Sequence, residues 1–423
     1  MLQIQKIRAD KDSIIKNILQ IRKVNVSDQI NNIYQLDLKK RDTQKNLDEI
    51  SANMNILSSR IGEQFKKGNI EKANDLKNQT TILKENIKTL KESFEQLDKS
   101  IVDLLYQIPN VPNELVPSGK SENDNEIIFS TPIDDLKNEN FLPHWELCKK
   151  HDLIDFELGV KITGAGFPIY KGKGAILQRA LIQFFLNEGN KSGYQELSVP
   201  HLVNESSGYG TGQLPDKEGQ MYHVSVDDLY LIPTGEVPIT NIYRDVIIDE
   251  KDLPIKHVGY TPCFRREAGS YGKDVRGLNR LHQFDKVEIV QITKPSESYQ
   301  TLDRMVIYVE SLIKKLDLPY RKLRLCGGDL GFTSALTYDL ETYSVGQEKW
   351  LEVSSISNFE TFQSNRLKLR YRTQDRIIDL AHTLNGSALA LPRIMASLLE
   401  KNQNDDGITI PKVLRPYTGF DSI

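Results

Sequence analysis

Between residues 27 and 105 the chain carries two runs of residues at alternating three- and four-residue spacing, and no other feature restricts its fold as strongly. The first run is Ile33, Leu36, Lys40, Thr43, Leu47, Ile50, Met54, Leu57 and Ile61; the second is Ala73, Leu76, Thr80, Leu83, Ile87, Leu90, Phe94, Leu97, Ile101 and Leu104. A repeat of this period keeps one seam facing a partner helix, so heptads sustained over such a length imply a coiled coil. The break between the runs, from Gly62 to Asn69, has room only for a reversal. Two helices paired antiparallel are therefore expected, and at 1.5 Å per residue the seam from Ile33 to Ile61 makes an arm of roughly 40 Å. Residues 27–105 hold 13 Lys/Arg against 13 Asp/Glu. That balance is the default of a solvated coil, so a spacer or dimerisation coil explains the surface as well as a nucleic-acid grip does. Lys39-Lys40-Arg41 and Lys66-Lys67 are the places where phosphates would be touched. A preceding helix over about residues 4–24, with Ile4, Ile7, Ile14, Ile15, Ile18 and Leu19, is expected at the arm's base.

The whole chain has 423 residues, enough for two or three domains. Its net charge of −3 excludes a generally basic nucleic-acid binder, so any such partner must be held by local patches. No apolar run approaches the ~18–20 residues of a membrane span and no signal-peptide pattern opens the chain, so a cytoplasmic location is expected. Cys148, Cys263 and Cys326 are isolated, which leaves neither a disulfide framework nor a CxxC zinc site. The Pro-rich stretch around Ile108-Pro109-Asn110-Val111-Pro112, with the polar run after it, reads as a linker over 106–126 between a helical region, 1–105, and a second domain, 127–423. In that domain helices are expected near 174–190, 296–317 and 375–402, and strands near 194–203, 229–237, 257–265, 280–292, 338–345 and 350–356. Strands following one another without a crossover helix favour an antiparallel sheet, hence an α+β class. No Gly-rich phosphate loop precedes a helix, so a nucleotide would need side-chain ligands.

Such ligands are concentrated in Pro262-Cys263-Phe264-Arg265-Arg266-Glu267-Ala268-Gly269 and His282-Gln283-Phe284-Asp285-Lys286-Val287-Glu288. If both segments are extended, alternation puts Arg265 and Glu267 on one face with Arg266 turned away, and Phe284, Lys286 and Glu288 on one face. An Arg fork holds phosphate, a Glu accepts from an exocyclic amine, and an aromatic ring stacks on a purine. A hairpin with a solvated charged face is the plainer reading of the first segment alone. Three further segments carry matching chemistry. Thr234 and Glu236, in Ile232-Pro233-Thr234-Gly235-Glu236, are placed on one strand face as a hydroxyl and a carboxylate suited to an ammonium group. Trp350-Leu351-Glu352-Val353-Ser354-Ser355 offers hard oxygen ligands of the kind Mg²⁺ accepts. Asn385-Gly386-Ser387 leads to Pro392-Arg393 entering a helix. Singly these read equally well as a turn, a cap and a surface charge.

Together and in this order they resemble the class II aminoacyl-tRNA synthetases, and within that class the seryl-tRNA synthetases, bacterial type. Nearly the whole chain takes part. Met1-Leu2 with Ile7-Arg8, the helical hairpin, Ile108-Pro109-Asn110 and Gly210-Thr211-Gly212-Gln213-Leu214-Pro215 are similar to that family's segments; Gly193 through Pro200 resembles motif 1, Phe264 to Glu288 motif 2, and His382 to Arg393 motif 3. The resemblance implies an N-terminal antiparallel coiled-coil arm that binds tRNA, and a class II catalytic domain with an antiparallel β-sheet flanked by helices. It implies activation of L-serine by ATP with Mg²⁺ and no zinc, transfer of the seryl group to tRNA(Ser) and, where present, tRNA(Sec), and a homodimer with no membrane. ATP would be bound by Arg265, Arg266, Glu267, Arg276, Phe284, Glu352, Val353, Ser354, Ser355 and Arg393. Of these, Arg265, Glu267 and Arg393 would carry catalysis, and Glu352 with Ser355 would hold Mg²⁺. Serine would be bound by Thr234, Gly235, Glu236, Arg265, Glu288, Asn385 and Ser387. Gly235, Pro392 and Gly166 depart from the residues the family usually has at or beside its motifs, without removing an assigned ligand. The alternatives are a carrier-protein ligase, which would lack the arm, and a catalytically inactive paralogue acting as an RNA- or protein-interaction module, which would have lost Arg265, Glu267, Glu352 or Arg393.

Overall fold

The heptad runs form long helices in the computed structural model, which describes residues 1–136, 140–267 and 276–423; Ala268 and Gly269 of the motif 2 segment lie outside the described residues. Helix α1 spans Ile4–Arg22, α2 spans Ser27–Lys66 and α3 spans Ile70–Leu105. At 40 residues, α2 is about 60 Å long, well beyond what the seam alone implied. Gly62 does not end it. A helical glycine costs only about 1 kcal/mol, and the flanking turns outweigh it. The reversal is instead Lys67–Asn69, where Gly68 takes a left-handed φ of 76° that other residues adopt only with strain. Polar seam residues are paired: Lys40 contacts Asp98 and lies 4.8 Å from the centre of the Phe94 ring. Asp37, 1% exposed, receives the fork of Arg8 at 2.7 Å through both Nε and Nη2, which fastens α1 to α2.

The chain divides into two compact units, Leu2–Leu19 with Val24–Pro109, and Met1, Gln20–Lys23 and Asn110–Ile423. The Pro-rich segment expected as a linker over 106–126 is built into the second unit from Asn110 onward. Val116 is buried in that unit's core, and the amides of Asn110, Asn113 and Gly327 donate at 2.9 Å to Phe332, Ala335 and Pro117. Proline excluded helix here, and loop-to-loop hydrogen bonds took its place.

The second unit is organised on eight strands: β1 Glu126–Ser130, β2 Gln195–Glu196, β3 Ile255–Phe264, β4 Gln283–Thr293, β5 Tyr320–Arg324, β6 Leu336–Ser344, β7 Lys349–Asn358 and β8 His382–Ala390. Their order is β1-β5-β6-β7-β8-β4-β3-β2, antiparallel throughout except that β2 runs parallel to β3 at the edge. Helices α4 (Gly172–Lys191), α5 (Ser298–Lys315) and α6 (Leu391–Lys401) bury their apolar faces on it. The pattern is explicit in α5, where Leu302, Met305, Val306, Val309, Leu312 and Ile313 recur at helical spacing and all are buried. Strand β4 is buried on both faces from Lys286 to Thr293, as the centre of a covered sheet must be.

Three expectations about local structure fail. Of 194–203, only Gln195–Glu196 and the start of the strand Leu202–Asn204 are extended ladder segments. The segment 375–402 is helical only over Leu391–Lys401; residues 378–380 form a strand that pairs with 370–372 in a separate small sheet, and 382–390 are β8, which lies between β7 and β4 and fills ladders on both sides. Pro392 begins that helix rather than interrupting it, in the first turn where its missing N–H is not needed. Within 229–237 only Leu229–Leu231 is strand, and Glu236 opens the short helix Glu236–Asn241. Among the described residues no helix is long and apolar enough to cross a membrane.

Candidate active site

Strand alternation on β4 places Phe284, Lys286 and Glu288 along one wall of a cleft of about 590 Å³. The neighbouring β8 sets Ser387 opposite Glu288 and Asn385 opposite Val290. On β7 the ladder slips by one residue, with Glu352 opposite Glu341 but Ser354 opposite Leu340, so Val353 is an extra residue. A bulge of this kind reverses side-chain parity. Glu352 and Ser355, three residues apart, consequently both line the cleft.

At the inner end the groups are packed out of water. One carboxylate oxygen of Glu288 accepts the Thr234 hydroxyl at 3.1 Å and the Lys286 ammonium at 2.7 Å. Both ends of the Lys286–Glu288 pair are almost fully buried. Glu236, at the start of its short helix, accepts from the Gln363 amide at 2.6 Å. Gln363 is itself held by Thr211 O at 3.1 Å and by the Thr383 hydroxyl at 2.7 Å. Burial pushes the Glu236 carboxyl up to about 7; the Gln363 hydrogen bond works against this and the charge of Glu288 with it.

The outer end is lined by guanidinium groups. Arg265 donates from Nε to Pro233 O at 3.3 Å, and its guanidinium carbon lies 5.2 Å from the centre of the Phe284 ring. Glu267 also faces the cleft, though β3 has ended at Phe264 and strand alternation does not apply. Glu267 has a left-handed φ of 49°, and Arg280 meets its carboxylate at 2.9 Å. Arg393, in the first turn of α6, donates to Asn279 O at 3.0 Å and Glu352 O at 2.8 Å, with the Glu352 carboxylate 3.7 Å away. Beneath Glu352, the buried Asp339 lies opposite Ser355, and burial together with the charge of Glu352 holds its carboxyl well above the usual range.

Not every expected residue is brought in. Arg276 lies outside the cleft, its guanidinium 4.6 Å from the Trp145 ring centre and 3.3 Å from Glu146. Arg266, Gly235 and Ser354 do not line the cleft either. The Ser354 hydroxyl is buried and donates to Ser387 O at 2.6 Å. Gly235 packs behind the pocket, where an added Cβ would lie 3.2 Å from Thr261 Oγ1 and 3.3 Å from the Glu288 Cβ. Arg280 and Asn279, outside the sequence-read site, also line the cleft, as does Lys286, which alternation places beside Phe284 and Glu288 without assigning it a ligand, and Gln363 orients Glu236. Alternation through Phe284-Asp285-Lys286-Val287-Glu288 was the signal for Lys286; nothing local marks Gln363.

Two family models match the chain: "Seryl-tRNA synthetase N-terminal domain" over residues 1–112, and "tRNA synthetase class II core domain (G, H, P, S and T)" over residues 222–402. The chain is 47% identical to a serine–tRNA ligase of Salinibacter ruber over 100% of its own length and 99% of the relative's. It belongs to the seryl-tRNA synthetase family. Among solved structures of that family it is similar to a seryl-tRNA synthetase from Pyrococcus horikoshii complexed with ATP, with a TM-score of 0.93, 33% identity and coverage of 100% and 99% of the two chains. A cytoplasmic serine–tRNA ligase from Naegleria fowleri in complex with AMP gives 0.87 and 28%, over 100% and 98%. The class II core match contains the cleft residues from Thr234 to Arg393, and the seryl-tRNA synthetase N-terminal match contains both arm helices.

Proposed function

We propose that the protein activates L-serine with ATP and transfers the seryl group to the terminal adenosine of tRNA(Ser), and of tRNA(Sec) where that exists. The observation that carries this reading is the close placement, in one cleft, of a buried Thr234–Glu288–Lys286 cluster and the Arg265–Phe284 pair. The serine ammonium is taken by Glu236 and Thr234, and its hydroxyl by Glu288 with Asn385 and Ser387. Arg265 orients the serine carboxylate against the α-phosphate. A carboxylate oxygen bonds to phosphorus in line as the bond to pyrophosphate breaks, and Arg393 balances charge on the leaving group. Glu267 accepts from the adenine amine and Phe284 stacks on the ring. Catalysis is then positioning and charge neutralisation, with no protein nucleophile.

The donor set fits Mg²⁺: Glu352 and Ser355 present a carboxylate and a hydroxyl to the cleft from β7, hard oxygen ligands that would hold such an ion. Such an ion would neutralise phosphate charge. Among the described residues no group of three or more His, Cys, Asp or Glu is placed to hold a metal.

Selectivity follows from the buried polar pocket. A substrate without the hydroxyl leaves those groups unpaired, a rejection that reaches roughly 10⁴-fold. In the same reading α2 and α3 grip the tRNA, the parallel edge strand β2 and the segment to Pro200 form the contact of a homodimer, and the protein is cytoplasmic. Charging assays with tRNA compare serine with alanine and threonine, for the unmodified protein and for Glu288→Ala. Selective seryl-tRNA formation that Glu288→Ala disrupts, with ATP binding preserved, supports the reading; equal use of alanine, or no charging with any tRNA, overturns it. An inactive paralogue is disfavoured because Arg265, Glu267, Glu352 and Arg393 all line the cleft.

A further inference from the structure

Glu400 lies two turns beyond Arg393 on α6, fully buried, and is the hub of a hydrogen-bond network. Its carboxylate accepts from the backbone and ring of His144, both at 2.8 Å, from Gly346 N at 3.1 Å, from the Gln347 amide at 3.2 Å and from the Ser344 hydroxyl. Burial alone would raise this carboxyl, yet the donors from His144 and Ser344 carry it below the ordinary glutamate value.

The network reaches the cleft through His144. The Leu278 amide donates to its Nε2 at 2.8 Å, and because an amide N–H can only donate, the ring proton must be on Nδ1, facing Glu400. Gly277 accommodates the ring: it has a φ of +67°, and a Cβ there would lie 2.2 Å from His144 Nε2. Two residues on, Asn279 donates from its side chain to Gln347 Oε1 at 2.7 Å and accepts Arg393 Nε on its carbonyl at 3.0 Å. A closed circuit thus runs from Arg393 along α6 to Glu400, through His144 and Gln347 to Leu278–Asn279, and back to Arg393.

From this circuit we infer that the buried His144–Glu400 pair is a positioning device for ATP: it fixes the Leu278–Arg280 segment and, through the Asn279 carbonyl, the aim of the Arg393 guanidinium. His144 and Glu400 are not among the residues that line the cleft. The inference rests on reading the cleft as an ATP site. It separates the two substrates, because among the described residues the side-chain hydrogen bonds of Thr234, Glu236 and Glu288 run to one another, to Lys286 and to Gln363 rather than to the circuit.

Steady-state ATP–pyrophosphate exchange tests it, with ATP and serine varied separately, on full-length His144→Leu, His144→Gln and Gln347→Ala. His144→Leu removes the acceptor of Leu278 and should raise the KM for ATP about tenfold, with the KM for serine within about twofold of its original value. His144→Gln retains an acceptor and should recover most of the loss. Gln347→Ala, which removes the Asn279 contact together with the Gln347 donors to Glu400 and Ser344 but leaves the His144–Leu278 branch intact, should raise the KM for ATP about threefold. Unchanged KM for ATP in both the His144→Leu and Gln347→Ala variants overturns the inference, as does a parallel rise for both substrates or a failure of His144→Gln to outperform His144→Leu. If His144→Leu does not fold, the Gln347→Ala result decides alone. Loss of exchange in the unmodified protein would instead overturn the reading of the cleft, so the two failures are distinguishable.

Discussion

The Glu236→Gln substitution should stabilise the free protein while destroying its activity toward serine, and the size of the effect follows from burial. The carboxyl is moved from 4.5 to about 7, chiefly because the charged form is deprived of water. A folded-state value above the unfolded one means that the folded protein holds the proton more tightly. Stability from this group is therefore complete below about 4.5 and is lost as pH rises toward 7 and beyond. A displacement of about 2.5 pH units corresponds to a cost of about 3 kcal/mol at pH 8. The amide introduced by Glu236→Gln carries no charge and can still accept from Gln363, so the cost should disappear. Urea unfolding of both proteins at pH 4.5, 6 and 8 measures it. The variant should match the parent at pH 4.5 and exceed it progressively, by on the order of 2–3 kcal/mol at pH 8. Its serine-dependent exchange should be absent, because the ammonium has lost its counter-charge. A stability difference that is flat with pH, or one that favours the parent at pH 8, would refute the argument that desolvation dominates this carboxylate.

Three further outcomes follow from the geometry. Lys286→Met leaves Glu288 buried without its cation, and urea unfolding should show a loss of about 3–5 kcal/mol with serine activation severely reduced; a neutral effect would show that Thr234 alone suffices for Glu288. Gly166→Ala forces a side chain onto a residue with φ +83° whose Cβ would lie 2.3 Å from the His282 ring, so the melting temperature should fall and exchange should weaken together; an unchanged melting temperature would mean that the loop yields freely. Replacing residues 45 to 90 by a short Gly-containing turn should leave pyrophosphate exchange close to intact while tRNA charging drops, and the remaining tRNA binding should vary less steeply with salt because phosphate contacts have gone. Equal loss of both activities would place the arm within the catalytic fold.

The arm and the central sheet were legible because they obey simple periods. Heptads run through both long helices, period-two alternation places Phe284, Lys286 and Glu288 on one wall, and helical spacing marks α5. Local rules failed where the ladder was irregular. Glu352 and Ser355 share a face only because Val353 is an extra residue, and nothing in Trp350-Leu351-Glu352-Val353 announces a bulge. Thr234 and Glu236 were expected on one strand face and meet instead across a strand end and a helix start. Arg265 and Glu267 were expected together by alternation and come together through a left-handed turn at Glu267. The segment over 375–390 has the small and apolar residues of a helix, but two flanking strands supply it with ladder partners that only the tertiary structure reveals. Gln363, distant in sequence from Glu236, illustrates the same limit: a buried carboxylate must find a donor, and sequence does not say where.

The central claim is that this cleft joins serine to ATP, and serine-dependent ATP–pyrophosphate exchange tests it most directly. Purified protein with Mg²⁺ should exchange only when serine is present, and Arg265→Ala should abolish exchange without lowering the melting temperature, since Arg265 makes its Nε hydrogen bond to a single carbonyl, that of Pro233. Exchange that is indifferent to serine, or near-normal exchange in Arg265→Ala, would contradict the account.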